Sequence, residues 1–393
     1  LIELLEEKMS VNEMENYQSP FTPTFGTSPM TPVGRREIIN EFRSALQSGP
    51  GMPGRAMLLA GTRGVGKTVL LNELEGTAKE SGWWVIEESA LSGLVERLEN
   101  QHLPRLLQSV VESPTKRNIT GVNTFGLGGI TTQVQDKYEF RPGLRHLITD
   151  ALEELTTHDS GLLLTIDEIT TATVGELATV VAVIQHMFRE RRNVALALAG
   201  LPEEIEKLLQ HPGVTFIRRA MRFDLGAVTY DEAKTGLLAP VESNGCSWQE
   251  VALDRAVAAT RGFPFLIQLV GFHSWTKMLE HGTKTLGEKE VDWGIERANA
   301  NLVNLVIEPV LRPLPALERE FLQAMAESSR PARTSEIANR LGKGSDTVSH
   351  YARKLMGKHI IFVPRKGHYE FAIPGMRDYF RAGNATYSGP NFW

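Results

Sequence analysis

Ala56-Met57-Leu58-Leu59-Ala60-Gly61-Thr62-Arg63-Gly64-Val65-Gly66-Lys67-Thr68 is the stretch on which the reading of this 393-residue chain turns. Ala56–Ala60 is a short apolar run, Gly61–Gly66 a glycine loop, and Lys67–Lys79 a helix that presents Leu70, Leu71, Leu74 and Ala78 inward. The eight residues Gly61, Thr62, Arg63, Gly64, Val65, Gly66, Lys67 and Thr68 fit G-x-x-x-x-G-K-[ST]. Glycines there let backbone N–H groups turn inward around phosphate oxygens, at the positive end of the helix that follows. Lys67 then reaches the β- and γ-phosphates, and the Thr68 hydroxyl supplies a magnesium ligand. A glycine turn before a helix also arises by chance, and the strand in front of this one is what gives the motif its weight.

A second segment completes the expected site. Leu162-Leu163-Leu164-Thr165-Ile166-Asp167-Glu168 reads as a buried strand ending in two carboxylates. At the carboxyl edge of a parallel sheet, Asp167 would face the magnesium beside Thr68, and Glu168 would orient and deprotonate the attacking water. Such a pair can equally start a solvated helix, and it is the coupling to the glycine loop that favours the catalytic reading. Trp83–Ile86, Val194–Ala199 and Thr215–Phe223 are further strand candidates, with helical stretches such as Leu144–Leu155 and Glu176–Glu190 between them. This alternation predicts an α/β fold with a mainly parallel, doubly wound sheet. A long insert between the second and third strands includes the glycine-rich Gly121–Gly129, to which no role attaches.

The flanks divide the chain. Four prolines in residues 18–32 restrict their predecessors to extended conformations, so residues 1–32 read as an arm or linker lying on the surface. Gly34 to Leu46 reads as a helix with Ile38, Ile39, Phe42 and Leu46 on one side. After the core, 33–228, the pattern from Asp231 to Ile307 is helices only: Asp231–Leu238, Gln249–Thr260, Pro264–Leu279 and Glu288–Ile307. That predicts a small helical domain over 229–312, and Pro313 and Pro315 open a last unit, 313–393.

Composition excludes several classes. Hydrophobic residues at 41% and charged residues at 23% are ordinary for a soluble globular chain and exclude collagenous or disordered types. The single cysteine, Cys246, cannot form an internal disulfide and fits a reducing compartment. No apolar run approaches the roughly 18 residues of a membrane helix, so no membrane partner and a cytoplasmic location are expected. The net charge of −5 conceals an asymmetry: Pro313 to Trp393 holds 12 Lys/Arg against 7 Asp/Glu. The basic end is where a nucleic-acid footprint is sought.

Within that end, Ser335–Leu341 and Asp346–Met356 read as two short helices separated by Gly342-Lys343-Gly344-Ser345, a spacing that suits a helix-turn-helix. Ser345 is the expected N-cap of the second helix, which leaves Thr347, Ser349, His350, Arg353 and Lys354 along its polar surface. Ile360–Val363 and Tyr369–Ile373 flank Pro364–His368 as a hairpin, with Arg365, Lys366 and His368 at its tip.

Together these residues resemble the AAA+ branch of P-loop ATPases. Val33-Gly34-Arg35 ahead of the loop, the helical lid and the basic C-terminal unit are similar to the origin-recognition and replication-licensing ATPases, with the related archaeal-type and STAND ATPases. The resemblance implies an ATPase with ATP or ADP and Mg2+ as its ligands, and places Val33, Gly34 and Arg35 on the adenine side. It implies that Arg261, in Arg261-Gly262-Phe263-Pro264, senses the γ-phosphate, although Pro264 suits the first turn of any helix. Arg218 and Arg219 fall where the family places an arginine finger, and Arg219 would reach the nucleotide of a neighbouring copy in a homo-oligomer; surface arginine pairs are also commonly just solvated. The C-terminal unit resembles the family's winged helix, whose second helix enters the major groove of double-stranded DNA and whose wing tracks phosphates. Such domains also serve as lids or protein contacts. One departure is plain: Val194–Ala199 runs into Gly200-Leu201-Pro202, without the polar residue that positions the attacking water in the family. This implies slow hydrolysis and favours, as the alternative, a STAND-type signalling switch whose winged helix is structural or contacts protein.

Overall fold

The computed structural model describes residues 18–24, 29, 33–111 and 143–383. The glycine-rich Gly121–Gly129 lies outside the described residues. Five strands form one parallel sheet: β1 (Ala56–Gly61), β2 (Trp84–Ser89), β3 (Leu162–Ile169), β4 (Val194–Gly200) and β5 (Met221–Leu225), in the order β2-β3-β4-β1-β5. Two of the three inner strands, β1 and β4, are buried along their whole length, because helices cover both faces and every side chain meets apolar neighbours. Side chains alternate between faces. Met57 and Leu59 pack with Phe42, Leu70, Leu71 and Leu74, while Leu58 and Ala60 pack on the other face with Ile148, Leu152 and Leu177.

The helices of these layers are α1 (Arg36–Gln47), α2 (Lys67–Glu80), α3 (Leu103–Val111), α4 (Leu144–Thr157), α5 (Val174–Arg189) and α6 (Pro202–Gln210). The expected strand Thr215–Phe223 is divided. Pro212–Arg219 forms 3-10 turns, begun by His211 accepting the Gly213 N–H at its Nδ1, and only Met221–Leu225 is a strand. Pro212 has no N–H to give to a sheet ladder, which favours the turn.

Four helices follow: α7 (Tyr230–Ser243), α8 (Glu250–Thr260), α9 (Pro264–Glu280) and α10 (Glu288–Leu302). A Thr229/Glu232 capping box starts α7, and Pro264 sits in the first turn of α9, where a missing N–H does no harm. The segment is not helices only: β6 (Ser247–Trp248) and β7 (Thr285–Leu286) form a two-residue parallel pair. The expected helix to Ile307 passes into a π turn, Val303–Ile307, and one further helical turn, Glu308–Leu311.

The C-terminal unit holds α11 (Ala316–Glu327), β8 (Ala332–Arg333), α12 (Thr334–Leu341), α13 (Ser345–Gly357), β9 (Ile361–Arg365), β10 (His368–Phe371) and α14 (Met376–Arg381). The helices and hairpin stand where the spacing put them, and β8 adds a third strand against β10. Gly344, extended, occupies the cap of α13, and Ser345 is its first helical residue. One apolar cluster runs without a break from Val228 to Phe380 and takes in Phe21 of the arm. That arm does not simply lie on the surface: Phe21 is 2% exposed, a burial worth about 1.5–3 kcal/mol. No helix among the described residues is long and apolar enough to cross a membrane.

Candidate functional site

The parallel sheet brings the two halves of the expected site to one edge. β1 ends at Gly61 and releases the loop Thr62–Gly66; β3 carries Asp167 and Glu168 just before its last residue, Ile169, with β4 between the two strands. Gly64 and Gly66 hold left-handed conformations, φ +79° and +86°, which turn the loop around the N-terminus of α2. The Thr68 hydroxyl donates to Asp167 Oδ2 at 2.6 Å, and the other carboxylate oxygen accepts the Glu168 N–H at 2.7 Å. Residues 99 positions apart thus meet as a hydroxyl and a carboxylate. Hard oxygen donors of this kind, few in number and open to solvent, suit a magnesium ion that retains several waters.

Lys67 Nζ donates to the carbonyls of Gly61 (2.9 Å) and Thr62 (3.0 Å), so the ammonium is held over the loop. Burial pulls its pKa below the usual lysine value, against the opposing pull of Asp167. A phosphate would relieve that penalty by supplying opposite charge. Glu168 is exposed and left-handed, φ +55°, and the β3–β4 register shifts between Ile166 and Ile169. A bulge of this kind re-aims side chains, and a non-glycine residue there stores about 1–2 kcal/mol of strain. These features fit a triphosphate with its metal.

The helical unit closes over the loop. The Phe265 N–H at the start of α9 donates to Gly64 O at 3.3 Å, and one cavity is lined by Gly64–Leu70, Pro264, Phe265, Ile267 and Gln268. Val33 and Arg35 line the same cavity. Arg35 donates to Gly226 O (2.7 Å) and Gly34 O (3.0 Å), which fastens it to the junction before α7, and its burial lowers its pKa. Gly34 is left-handed, φ +74°.

Not every expected residue gathers there. Arg261 caps α8 and its guanidinium pairs with Asp378 on α14; it is not among the residues lining the cavity. Arg219 is exposed, and Arg218 donates to Leu209 O at 2.8 Å. On the C-terminal unit, His350, Arg353, Lys354, Arg365 and Lys366 are exposed, and Thr347 and Ser349 half-buried. His368 does not stand free at the hairpin tip: it is half-buried and its Nδ1 bonds Lys366 O. Thr22, Thr24 and Gln268 also line the cavity. Sequence reasoning missed them because nothing in a proline-rich arm or a mid-helix glutamine marks them as neighbours.

Residues 31–197 match a family model described as AAA ATPase domain, and residues 305–380 match one described as a domain of unknown function. No curated protein sequence matches the chain. Among solved structures, a Walker-type ATPase of Pyrococcus abyssi is similar with a TM-score of 0.59 at 15% identity, over 89% of this chain and 96% of that one. The ADP form of the ORC2 protein of Aeropyrum pernix is similar with a TM-score of 0.57 at 14% identity, over 93% and 98%. At such identities the likeness establishes the fold, an α/β P-loop NTPase.

Proposed function

We propose that residues 31–197, an AAA ATPase domain, bind ATP and use it to set how the C-terminal unit meets double-stranded DNA. The observation that carries this reading is the 2.6 Å contact between Thr68 and Asp167, because a metal bridging a triphosphate to a strand end needs those two groups side by side. In this reading Gly61–Gly66 and Lys67 hold the phosphates, Thr68 and Asp167 hold Mg2+, and Val33, Gly34 and Arg35 face adenine. Magnesium, when bound, neutralises charge on the phosphate oxygens. Glu168 acts as the base. Hydrolysis is slow, since β4 runs into Gly200-Leu201-Pro202 with no polar side chain to fix the water. Arg261 would reach the γ-phosphate only on release from Asp378, and Arg219 would act from a neighbouring copy. The functional division is then 1–32, 33–228, 229–312 and 313–393, in a cytoplasmic protein.

The DNA half of the reading, in which the C-terminal unit acts as a winged helix, is supported by the exposed His350, Arg353 and Lys354 of α13 and by the exposed Arg365 and Lys366 of the hairpin. Fluorescence anisotropy of a labelled duplex with the full chain tests it. Salt-sensitive binding that weakens in an Arg353→Ala/Lys354→Ala variant is expected, with a shallower salt slope. Absence of binding at low salt would refute it.

A second reading, a STAND-type switch whose C-terminal unit contacts protein, is favoured by the docking of that unit on both neighbours. Arg261 pairs with Asp378 on the lid side, and His359 lies 3.6 Å from Glu204 and 3.8 Å from Glu203 on α6. Asp378→Asn should then loosen the unit and raise nucleotide exchange; unchanged exchange counts against this reading.

A further inference from the structure

The stretch of β3 that carries Asp167 is held from one side. β4 pairs Leu198 with Ile166 and Gly200 with Ile169, and leaves Asp167 and Glu168 without a register partner. β2 supplies what β4 does not: Ser89 lies opposite Asp167, and the Ala90 N–H, just beyond the strand, donates to the Asp167 carbonyl at 2.8 Å. The place of the Asp167 carboxylate beside Thr68 therefore depends on how firmly the end of β2 is fixed.

One side chain gathers that end. Arg97, on the helical turn Leu94–Arg97, donates to both carboxylate oxygens of Glu88 at 2.8–3.1 Å and to the carbonyls of Ser89 (3.2 Å) and Ser92 (2.9 Å). A planar guanidinium with five N–H donors serves a carboxylate and two carbonyls from fixed directions, whereas a lysine ammonium is a single point of charge. The Glu88 side chain is only 7% exposed, and His102 Nε2 lies 2.8 Å from its Oε1. Residues five positions apart point about 140° from one another on a regular α-helix, and the wider π turn Leu98–His102 brings Arg97 and His102 onto the same carboxylate. The far end of the loop is fixed as well, by Glu176 on α5, which accepts the Gly93 and Val95 N–H groups at 3.0 and 3.2 Å. Arg97 and Glu88 line one cavity together with Thr68 and Asp167.

We infer that Arg97 is a positioning residue for magnesium: it fixes the end of β2, and the Ala90–Asp167 bond carries that constraint to the carboxylate beside Thr68. The inference rests on the magnesium reading above and deepens it. Arg97 acts through other groups, namely the Glu88 carboxylate and the Ser89 and Ser92 carbonyls. If the end of β2 drifted, the Asp167 main chain would drift with it, since no β4 pairing stands behind it. The carboxylate has little freedom to compensate, because one oxygen accepts the Thr68 hydroxyl and the other the Glu168 N–H. Groups that orient a metal ligand from behind typically contribute about 10- to 100-fold to metal affinity.

Arg97→Lys and Arg97→Ala test the assignment in the full chain. Lysine keeps a cation beside Glu88 and gives up the fork that holds the carbonyls; alanine gives up both. Titration calorimetry measures ATP binding in EDTA and then Mg2+ binding to the ATP complex, with thermal melting of each variant alongside. The expected result is Mg2+ affinity weakened about tenfold in Arg97→Lys and about 100-fold in Arg97→Ala, with metal-free ATP affinity within about twofold of wild type. A merely structural arginine would lower the melting temperature and leave Mg2+ affinity alone. If Arg97→Lys, folded at the assay temperature, binds Mg2+ as wild type does, or loses ATP in EDTA as heavily as it loses Mg2+, the inference is overturned. If Asp167→Asn also binds Mg2+ as wild type does, the magnesium reading fails first, and the inference falls with it.

Discussion

Replacing Gly61 with alanine should damage the protein twice, in stability and in nucleotide binding. A Cβ at this position would lie 2.7 Å from Val65 Cγ2, 2.9 Å from the Leu225 carbonyl oxygen and 3.2 Å from Leu225 Cβ. Ordinary contacts begin near 3.4 Å, so at least half an ångström must be found. Neither neighbour can yield it easily. Val65 is 1% exposed within the cluster of Leu70, Leu71 and Leu74, and Leu225 is paired with Gly61 itself across β1 and β5. Overpacking of this kind costs about 1–3 kcal/mol. At roughly 2–4 °C per kcal/mol for a unit of this size, the melting temperature should fall by about 2–12 °C. The displaced loop should also lose ATP affinity, since its amides must converge on phosphate oxygens. Gly76 supplies the control. It lies within α2, and a Cβ there meets nothing within 4 Å, so Gly76→Ala should stabilise by about 0.5–1 kcal/mol and leave binding alone. Calorimetric melting of both variants with ATP titration gives the answer. Equal stability and equal ATP affinity of Gly61→Ala and wild type would refute the packing argument.

Asp167→Asn should abolish the magnesium-dependent part of ATP binding and leave metal-free binding within about twofold, checked by titration with and without EDTA; equal loss in both would remove Asp167 from the metal. Glu168→Gln should retain ATP affinity and lower steady-state turnover by about 10²-fold or more, and unchanged turnover would mean another base. Burial lowers the Lys67 pKa in the free protein and phosphate would raise it, so the complex holds the proton to higher pH than the free site. ATP affinity should therefore fall as pH rises from that lowered value towards the higher one of the complex, with proton uptake on binding in the same window, and Lys67→Ala should erase the dependence.

The phosphate loop and its helix were legible because their chemistry is local: backbone N–H groups that must converge can do so only with glycines at fixed spacing, and the lysine and threonine follow at once in the chain. The buried strands were legible for a similar reason, since a strand covered on both faces must be apolar throughout. The strand β5 was misread at its start, where a proline turned the chain into 3-10 helix before pairing began. The resemblance puts Arg261 beside the nucleotide, and the sequence gives no sign of the partner it has in this structure, Asp378, 117 residues away on α14.

Taken alone, then, the sequence determined the α/β class, the strand, glycine loop and helix that carry Lys67 and Thr68, and the helix and hairpin series at the basic end, because each is written in short-range periodicity or spacing. Only the tertiary structure decided that Thr68 meets Asp167, that Phe21 anchors the arm in the lid, and that the C-terminal unit shares one apolar core with the lid. Those contacts join residues far apart in the chain, and their partners are chosen by sheet order and by which apolar faces remain to be covered, neither of which any local pattern encodes.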